Sequence, residues 1–101
     1  RPPNTALPPT PAEQRLCDVA IGLLKGQFDG NDIPRYLSVP VANKTGALDD
    51  VRNDVGIVYA ANGPVIISAF TYDNKDQSWT VDNSGQLLIG RLAKAIIEDW
   101  R

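Results

Sequence analysis

Two apolar runs, Val55-Gly56-Ile57-Val58-Tyr59-Ala60 and Val65 to Tyr72, stand on either side of Asn62-Gly63, and this arrangement constrains the fold more than any other part of the chain. Asn-Gly between apolar segments is the strongest short-range signal for a hairpin with a two-residue loop. In each run both alternating sets of positions are apolar, so the sheet they build needs cover on both faces. A chain of 101 residues supplies one domain at most. Such a domain buries roughly 60 to 70% of its unfolded surface and has little left over to make that cover.

The remaining elements follow from local signals. Val39, Val41 and then Lys44 to Ala47 predict a strand before the hairpin, with Asp49 to Asp54 as a polar turn, which gives a three-stranded antiparallel meander. Upstream, Thr10-Pro11-Ala12-Glu13 carries a capping box with proline at the first helical position. Leu16, Val19, Ala20, Leu23 and Leu24 then fall on one face, so the spacing predicts an amphipathic helix over 11–25 with Gly26 as a left-handed stop. Cys17, beside that face, reads as a small buried hydrophobe. Gln27 to Pro34 is a connection, with a short helical turn around Arg35 to Leu37.

A second helix is expected from Asp82 to Ser84 onward. Leu88, Leu92, Ala95, Ile96 and Trp100 form its main stripe, and Ile89, Ala93 and Ile97 widen it. The fold class is therefore α+β: helix, three-stranded antiparallel meander, C-terminal helix. Five of the eight prolines lie at positions 2, 3, 8, 9 and 11, so residues 1–9 are expected to be an extended linker or loop and 10–101 the folded portion.

Composition removes several function classes. Ten Lys and Arg against twelve Asp and Glu give a net charge of −2, which offers no basic footprint for nucleic acid or an anionic membrane. No apolar run approaches the roughly 20 residues of a membrane span, and Arg1-Pro2-Pro3 is unlike a signal peptide. Without methionine in the chain, Arg1 is expected to be a processed start. There is no histidine and one cysteine, so zinc ligand sets, histidine bases and internal disulfides are absent, and no metal or cofactor is expected.

The sharpest motif is Lys44-Thr45-Gly46 on the first predicted strand. Ala42-Asn43-Lys44-Thr45-Gly46-Ala47, then Arg52-Asn53-Asp54-Val55-Gly56-Ile57-Val58-Tyr59, then Gly63-Pro64-Val65-Ile66-Ile67-Ser68 resemble the C-terminal part of the penicillin-recognising serine hydrolases, with class A-like β-lactamases the nearest in look. The resemblance runs from Thr10 to Arg101 and implies a partial β-lactamase-like α/β sandwich, about the last two-fifths of such an enzyme. The family's Ser-x-x-Lys and Ser-Asp-Asn motifs are absent: the residues three places after Ser38, Ser68, Ser78 and Ser84 are Val41, Thr71, Val81 and Leu87. Tyr72-Asp73-Asn74 falls after the Lys-Thr-Gly strand, out of the family's order, and reads as a turn.

By the same resemblance, Lys44 would place a cation beside the acyl-accepting serine. Thr45 would bind the substrate carboxylate, Gly46 would let substrate approach the backbone, and Ala47 would give its N–H to an oxyanion hole. The implied ligand is a β-lactam or D-alanyl peptide-like molecule, and the implied location periplasmic or secreted. Uncovered sheet edges and faces imply either the missing N-terminal portion of the enzyme or self-association as partner. Many class A enzymes carry an arginine on the next strand, whereas Val55 or Gly56 stands near that register here and Arg52 is expected in the preceding turn. Asp49 and Asp50 read as solvated turn residues, Trp79 and Trp100 as packing residues. Asn53-Asp54 either orients the site loop or makes local backbone bonds. A non-catalytic binding or assembly module of the same fold is the alternative.

Overall fold

A computed structural model describes residues 7–100. Most of the proline-rich stretch expected to be a linker lies outside the described residues, and the part inside them, 7–10, is exposed and irregular. Helix α1 spans Pro11–Lys25, as the spacing predicts. Its capping box closes as expected, with the Thr10 hydroxyl accepting from the Glu13 N–H at 3.2 Å and Glu13 Oε1 accepting from the Thr10 N–H at 3.2 Å. Those bonds hold the Glu13 carboxyl below its ordinary range. Gly26 ends the helix in right-handed geometry, φ −85°, rather than the left-handed geometry expected; its N–H reaches the carbonyls of Gly22 and Leu23.

A 3-10 turn, η1, follows at Ile33–Tyr36. Strands β1 (Val41–Leu48), β2 (Val51–Ala60) and β3 (Gly63–Thr71) then form an antiparallel sheet in the order β1-β2-β3, and helix α2 (Ser84–Asp99) closes the fold. Two boundaries differ from expectation. The first turn is only Asp49–Asp50, so Arg52, Asn53 and Asp54 belong to β2 and not to a turn. The hairpin loop is Ala61–Asn62, and Gly63 opens β3 at φ +117°, a conformation that glycine adopts without strain. Tyr72-Asp73-Asn74 does follow β3 as an irregular turn, with Asp73 at φ +56°.

The sheet is covered on one face and largely bare on the other. The covered face carries Val58, Val65 and Ile67, which pack with Ile33 of η1 and with Ile89 and Ala93 of α2 to make the core. The expected stripe of α2 is thereby corrected: Leu88, Leu92, Ile96 and Trp100 are 43 to 49% exposed, while Gly85, Ile89, Gly90 and Ala93 are buried. Close approach decides this, because a Cβ at Gly90 would lie 2.9 Å from the Asp32 carbonyl oxygen and 3.1 Å from the Tyr36 ring. Only the arc bearing small residues can seat the helix against η1.

On the other face Val55, Ile66, Phe70 and Leu48 are exposed. The one helix on offer there, α1, packs on β1 and lays the Lys25 ammonium 4.2 Å above the Tyr59 ring. It buries none of its own residues: Leu16, Val19 and Leu23 are exposed, and so is Cys17, against its expected burial. Both apolar surfaces are thus unmatched within the described residues. Among those residues no helix is long and apolar enough to cross a membrane.

Candidate active-site strand

Strand β1 is an edge of the sheet, and its register fixes what it presents. Lys44 stands opposite Val55, Thr45 opposite Asp54, Gly46 opposite Asn53 and Ala47 opposite Arg52. In an antiparallel pair both backbone groups of one residue point inward and those of the next point outward. The Pro40 carbonyl accepts the Tyr59 N–H at 3.0 Å, whereas the Asn43 carbonyl turns out to the Gln27 side-chain amide. Odd positions therefore face the open edge, and the N–H groups of Thr45 and Ala47 point away from β2.

Side chains alternate the other way. Lys44 is exposed, and its ammonium donates to the Thr45 carbonyl at 2.7 Å. Thr45 shares the covered face with Asn43 and Asp54, and its hydroxyl donates to Asp29 Oδ2 at 2.9 Å. Gly46 and Ala47 are exposed, and a Cβ at Gly46 would meet nothing within 4 Å. Lys44, Gly46 and Ala47 are thus exposed along the strand, while Thr45 is half-buried with the carboxylate of Asp29 beside its hydroxyl.

Asp29 belongs to the connection before η1, where the local signals predict only a loop. That loop is fastened to β1 at several points: the Gln27 amide on the Asn43 carbonyl, the Asn43 amide on the Asp29 carbonyl at 3.4 Å, and Thr45 on the Asp29 carboxylate. The Asn31 N–H donates to the other Asp29 oxygen at 3.3 Å. Beneath it Asp54, fully buried, accepts from the Asn43 amide at 3.0 and 3.1 Å and from the Ile33 N–H at 3.0 Å. Burial pushes the Asp54 carboxyl up to about 6, against the lowering effect of those bonds. Asp32 is also raised by burial, although the Gln86 amide donates to it at 3.0 Å.

Of the two roles open to Asn53-Asp54, Asp54 takes the loop-orienting one, and Asn53 accepts the Thr71 N–H of the next strand at 3.1 Å. Gly56 makes room for the arrangement, since a Cβ there would stand 3.0 Å from the Asn43 Cβ.

Arg52 lies on β2 with its side chain 2% exposed. The guanidinium donates to the carbonyls of Leu48, Val51 and Ser78, the last two at 2.8 Å, and stacks on Trp79 with 4.3 Å to the ring centre. It ties the β1–β2 turn to the loop before α2. Trp79 is accordingly a stacking partner, although two-thirds of its surface stays exposed. Beside this clamp a cavity of about 430 Å³ opens against Ala47, lined also by Phe28, Asp29, Asn31, Val81 and Gln86. Asp49 and Asp50 occupy the turn, as expected. Asp76 accepts from the Ser78 hydroxyl and N–H and from the Ser84 N–H, which hold its carboxyl well below the usual range and fix the loop at the start of α2.

A helix, an antiparallel meander with Lys-Thr-Gly on its free edge, and a second helix packed back on the sheet define a β-lactamase-like α+β unit. The chain belongs to the β-lactamase enzyme family, whose sequence model matches residues 10–100. Among solved structures it is similar to a β-lactamase from Sphaerobacter thermophilus DSM 20745, at 27% identity and a TM-score of 0.76 over 85% of this chain and 32% of that one. A representative of class A β-lactamase from Bacteroides cellulosilyticus DSM 14838 matches in fold at 21% identity and a TM-score of 0.70, over 84% of this chain and 33% of that one. A variant of the last common ancestor of Gram-negative bacteria class A β-lactamase matches in fold at 18% identity and a TM-score of 0.68, over 90% and 34%. The chain therefore spans about a third of these structures. A comparison with curated protein sequences found no match.

Proposed function

We propose that this chain supplies one wall of an acyl-serine active site in a hydrolase of the β-lactamase or D,D-peptidase type. The observation that carries the reading is the free edge of β1, where exposed Lys44, Gly46 and Ala47 lie in one run with an outward N–H at Ala47. A serine nucleophile comes from outside the stretch described here, since none of the four serines begins Ser-x-x-Lys. Lys44 is the cation beside it, and the Ala47 N–H is an oxyanion donor. Thr45 and Gly46 line the substrate, the one through its hydroxyl and the other by allowing close approach. An acyl donor docks along this edge as an added strand would.

The reaction is acylation of serine and then hydrolysis of a β-lactam or peptide-like amide. The bare sheet face and α1 stripe are covered by the rest of the enzyme domain, and the protein works in the periplasm or outside the cell.

The test uses the full-length protein that contains this chain, with acylation by a chromogenic β-lactam as readout. Lys44→Ala should slow acylation strongly and Ala47→Pro by on the order of 100- to 1,000-fold, the usual loss for one oxyanion donor, whereas Asp50→Ala in the turn should not. Circular dichroism of the proline variant separates a lost donor from a lost fold. Equal effects of Lys44→Ala and Asp50→Ala would leave the non-catalytic module as the better account.

A further inference from the structure

The cavity beside the motif strand narrows the substrate class, granted the acyl-serine reading above and a substrate carboxylate at Thr45 as the family resemblance implies. Positive charge favours that carboxylate, because the Lys44 ammonium and the Arg52 guanidinium are bonded only to neutral backbone carbonyls. Against Ala47 and Arg52 opens the cavity of about 430 Å³, a volume in the range of small-molecule pockets. Phe28, Trp79 and Val81 give it apolar walls. Phe28 is wholly exposed, and Trp79 and Val81 are 66 and 58% exposed.

Both aromatic residues stand on fastened backbone. On one side of Phe28 the Gln27 amide donates to the Asn43 carbonyl, and on the other the Asp29 carbonyl accepts from the Asn43 amide at 3.4 Å. Next to Trp79 the Ser78 carbonyl accepts from Arg52 at 2.8 Å and from Asn83 at 2.9 Å, while Arg52 stacks on the indole. A phenylalanine so held packs nothing in this chain. A ligand that covers it gains apolar burial without first having to order the wall.

We propose that Phe28 and Trp79 form a subsite for an aromatic substituent carried on the ring carbon next to the substrate's carboxylate, with Phe28 the specificity-determining residue. The substituent is uncharged, since Arg52 and Asp29 line the same cavity with opposite signs. A flat ring suits the walls, because edge-on or offset contact between rings adds to the area buried.

The experiment uses the full-length protein that contains this chain and two pairs of cephalosporins. In the first pair the acylamino group is the same, and the carbon next to the carboxylate bears methyl or phenylethenyl. In the second that carbon bears methyl in both, and the acylamino group is acetyl or phenylacetyl. Second-order acylation rates are followed by the mass shift of the adduct, and the intrinsic reactivity of each compound cancels when ratios are compared between proteins. Phe28→Ala should lower the phenylethenyl-to-methyl ratio roughly three- to tenfold, the worth of one aromatic contact, and Phe28→Tyr should keep it. The phenylacetyl-to-acetyl ratio should stay as in wild type. Trp79→Phe, which keeps a ring over Arg52, should lower the first ratio by a smaller factor and carries the test even if the alanine variant fails to fold. A first ratio that these variants leave unmoved, or that moves together with the second, would overturn this inference alone. Acylation by none of the compounds would overturn the acyl-serine reading and this inference with it.

Discussion

Asp54 shows how a single buried group couples the site to pH. Its carboxyl titrates at about 6 in the folded chain against an ordinary value of 3.8, so between those values the folded state holds a proton that the unfolded state has lost. Stability from this group is greatest below the unfolded value and falls as pH rises through about 6; Asp32, raised by burial as well, acts in the same direction. Asp76 and Glu13 have the opposite sign, and their contribution is lost only at more acid pH. The melting temperature of the chain should therefore be higher near pH 5 than near pH 7.5, and Asp54→Asn should flatten that slope. A slope unchanged in Asp54→Asn would mean that another group titrates. None of this was legible in the sequence. Asp54 sits in a polar stretch with the local signature of a turn; the strand neighbours that pair with it, Thr45 and Ala69, and the groups that bind its carboxylate, Ile33 and Asn43, come from other segments. The same holds for Asp29, whose contact with Thr45 spans sixteen positions. Lys44-Thr45-Gly46 is weak as a tripeptide and stands out only because the residues around it, through Ser68, resemble a known family; spacing does not show what they touch.

At the scale of elements, two helical glycines should respond with opposite signs to the same substitution. Gly22 lies inside α1, and a Cβ there would meet nothing within 4 Å, so Gly22→Ala should stabilise by about 0.5 to 1 kcal/mol through helix propensity. Gly90 lies where α2 crosses η1, with the Asp32 carbonyl oxygen 2.9 Å from where a Cβ would sit. Gly90→Ala should lower stability by roughly 1 to 3 kcal/mol despite the same gain in propensity, because backbone must move to admit the methyl group. Denaturant melts of the two variants check both signs. The contrast also explains what the sequence conveyed about each helix. The limits of α1 follow from its capping box, a local device readable within four residues. Which arc of α2 faces the sheet was not readable, because apolar residues occupy two neighbouring arcs. The choice falls to the one whose Gly85, Gly90 and Ala93 permit close contact, and that depends on the shape of what lies beneath.

For the whole molecule, the unmatched apolar surfaces set how the isolated chain behaves. Ile66, Phe70 and Val55 on the sheet and Leu16, Val19 and Leu23 on α1 form exposed hydrophobic area of the kind that drives association. The edge of β3 adds unpaired backbone. The chain on its own should scatter light as an oligomer, and Ile66→Ser with Phe70→Ser should shift it toward monomer without lowering its melting temperature, since neither side chain is in the core. A monomer before substitution would count against a covering partner. The two-sided apolar strands announced this need from the sequence, but one face found its helix within the chain and the other did not. Helix α1 carries a further consequence. It buries no residue and rests on β1, so in the isolated chain its backbone hydrogen bonds can open without breaching the core. Its amide protons should exchange with solvent deuterium orders of magnitude faster than those of α2, leaving a segment that a protease samples long before the sheet and α2 yield.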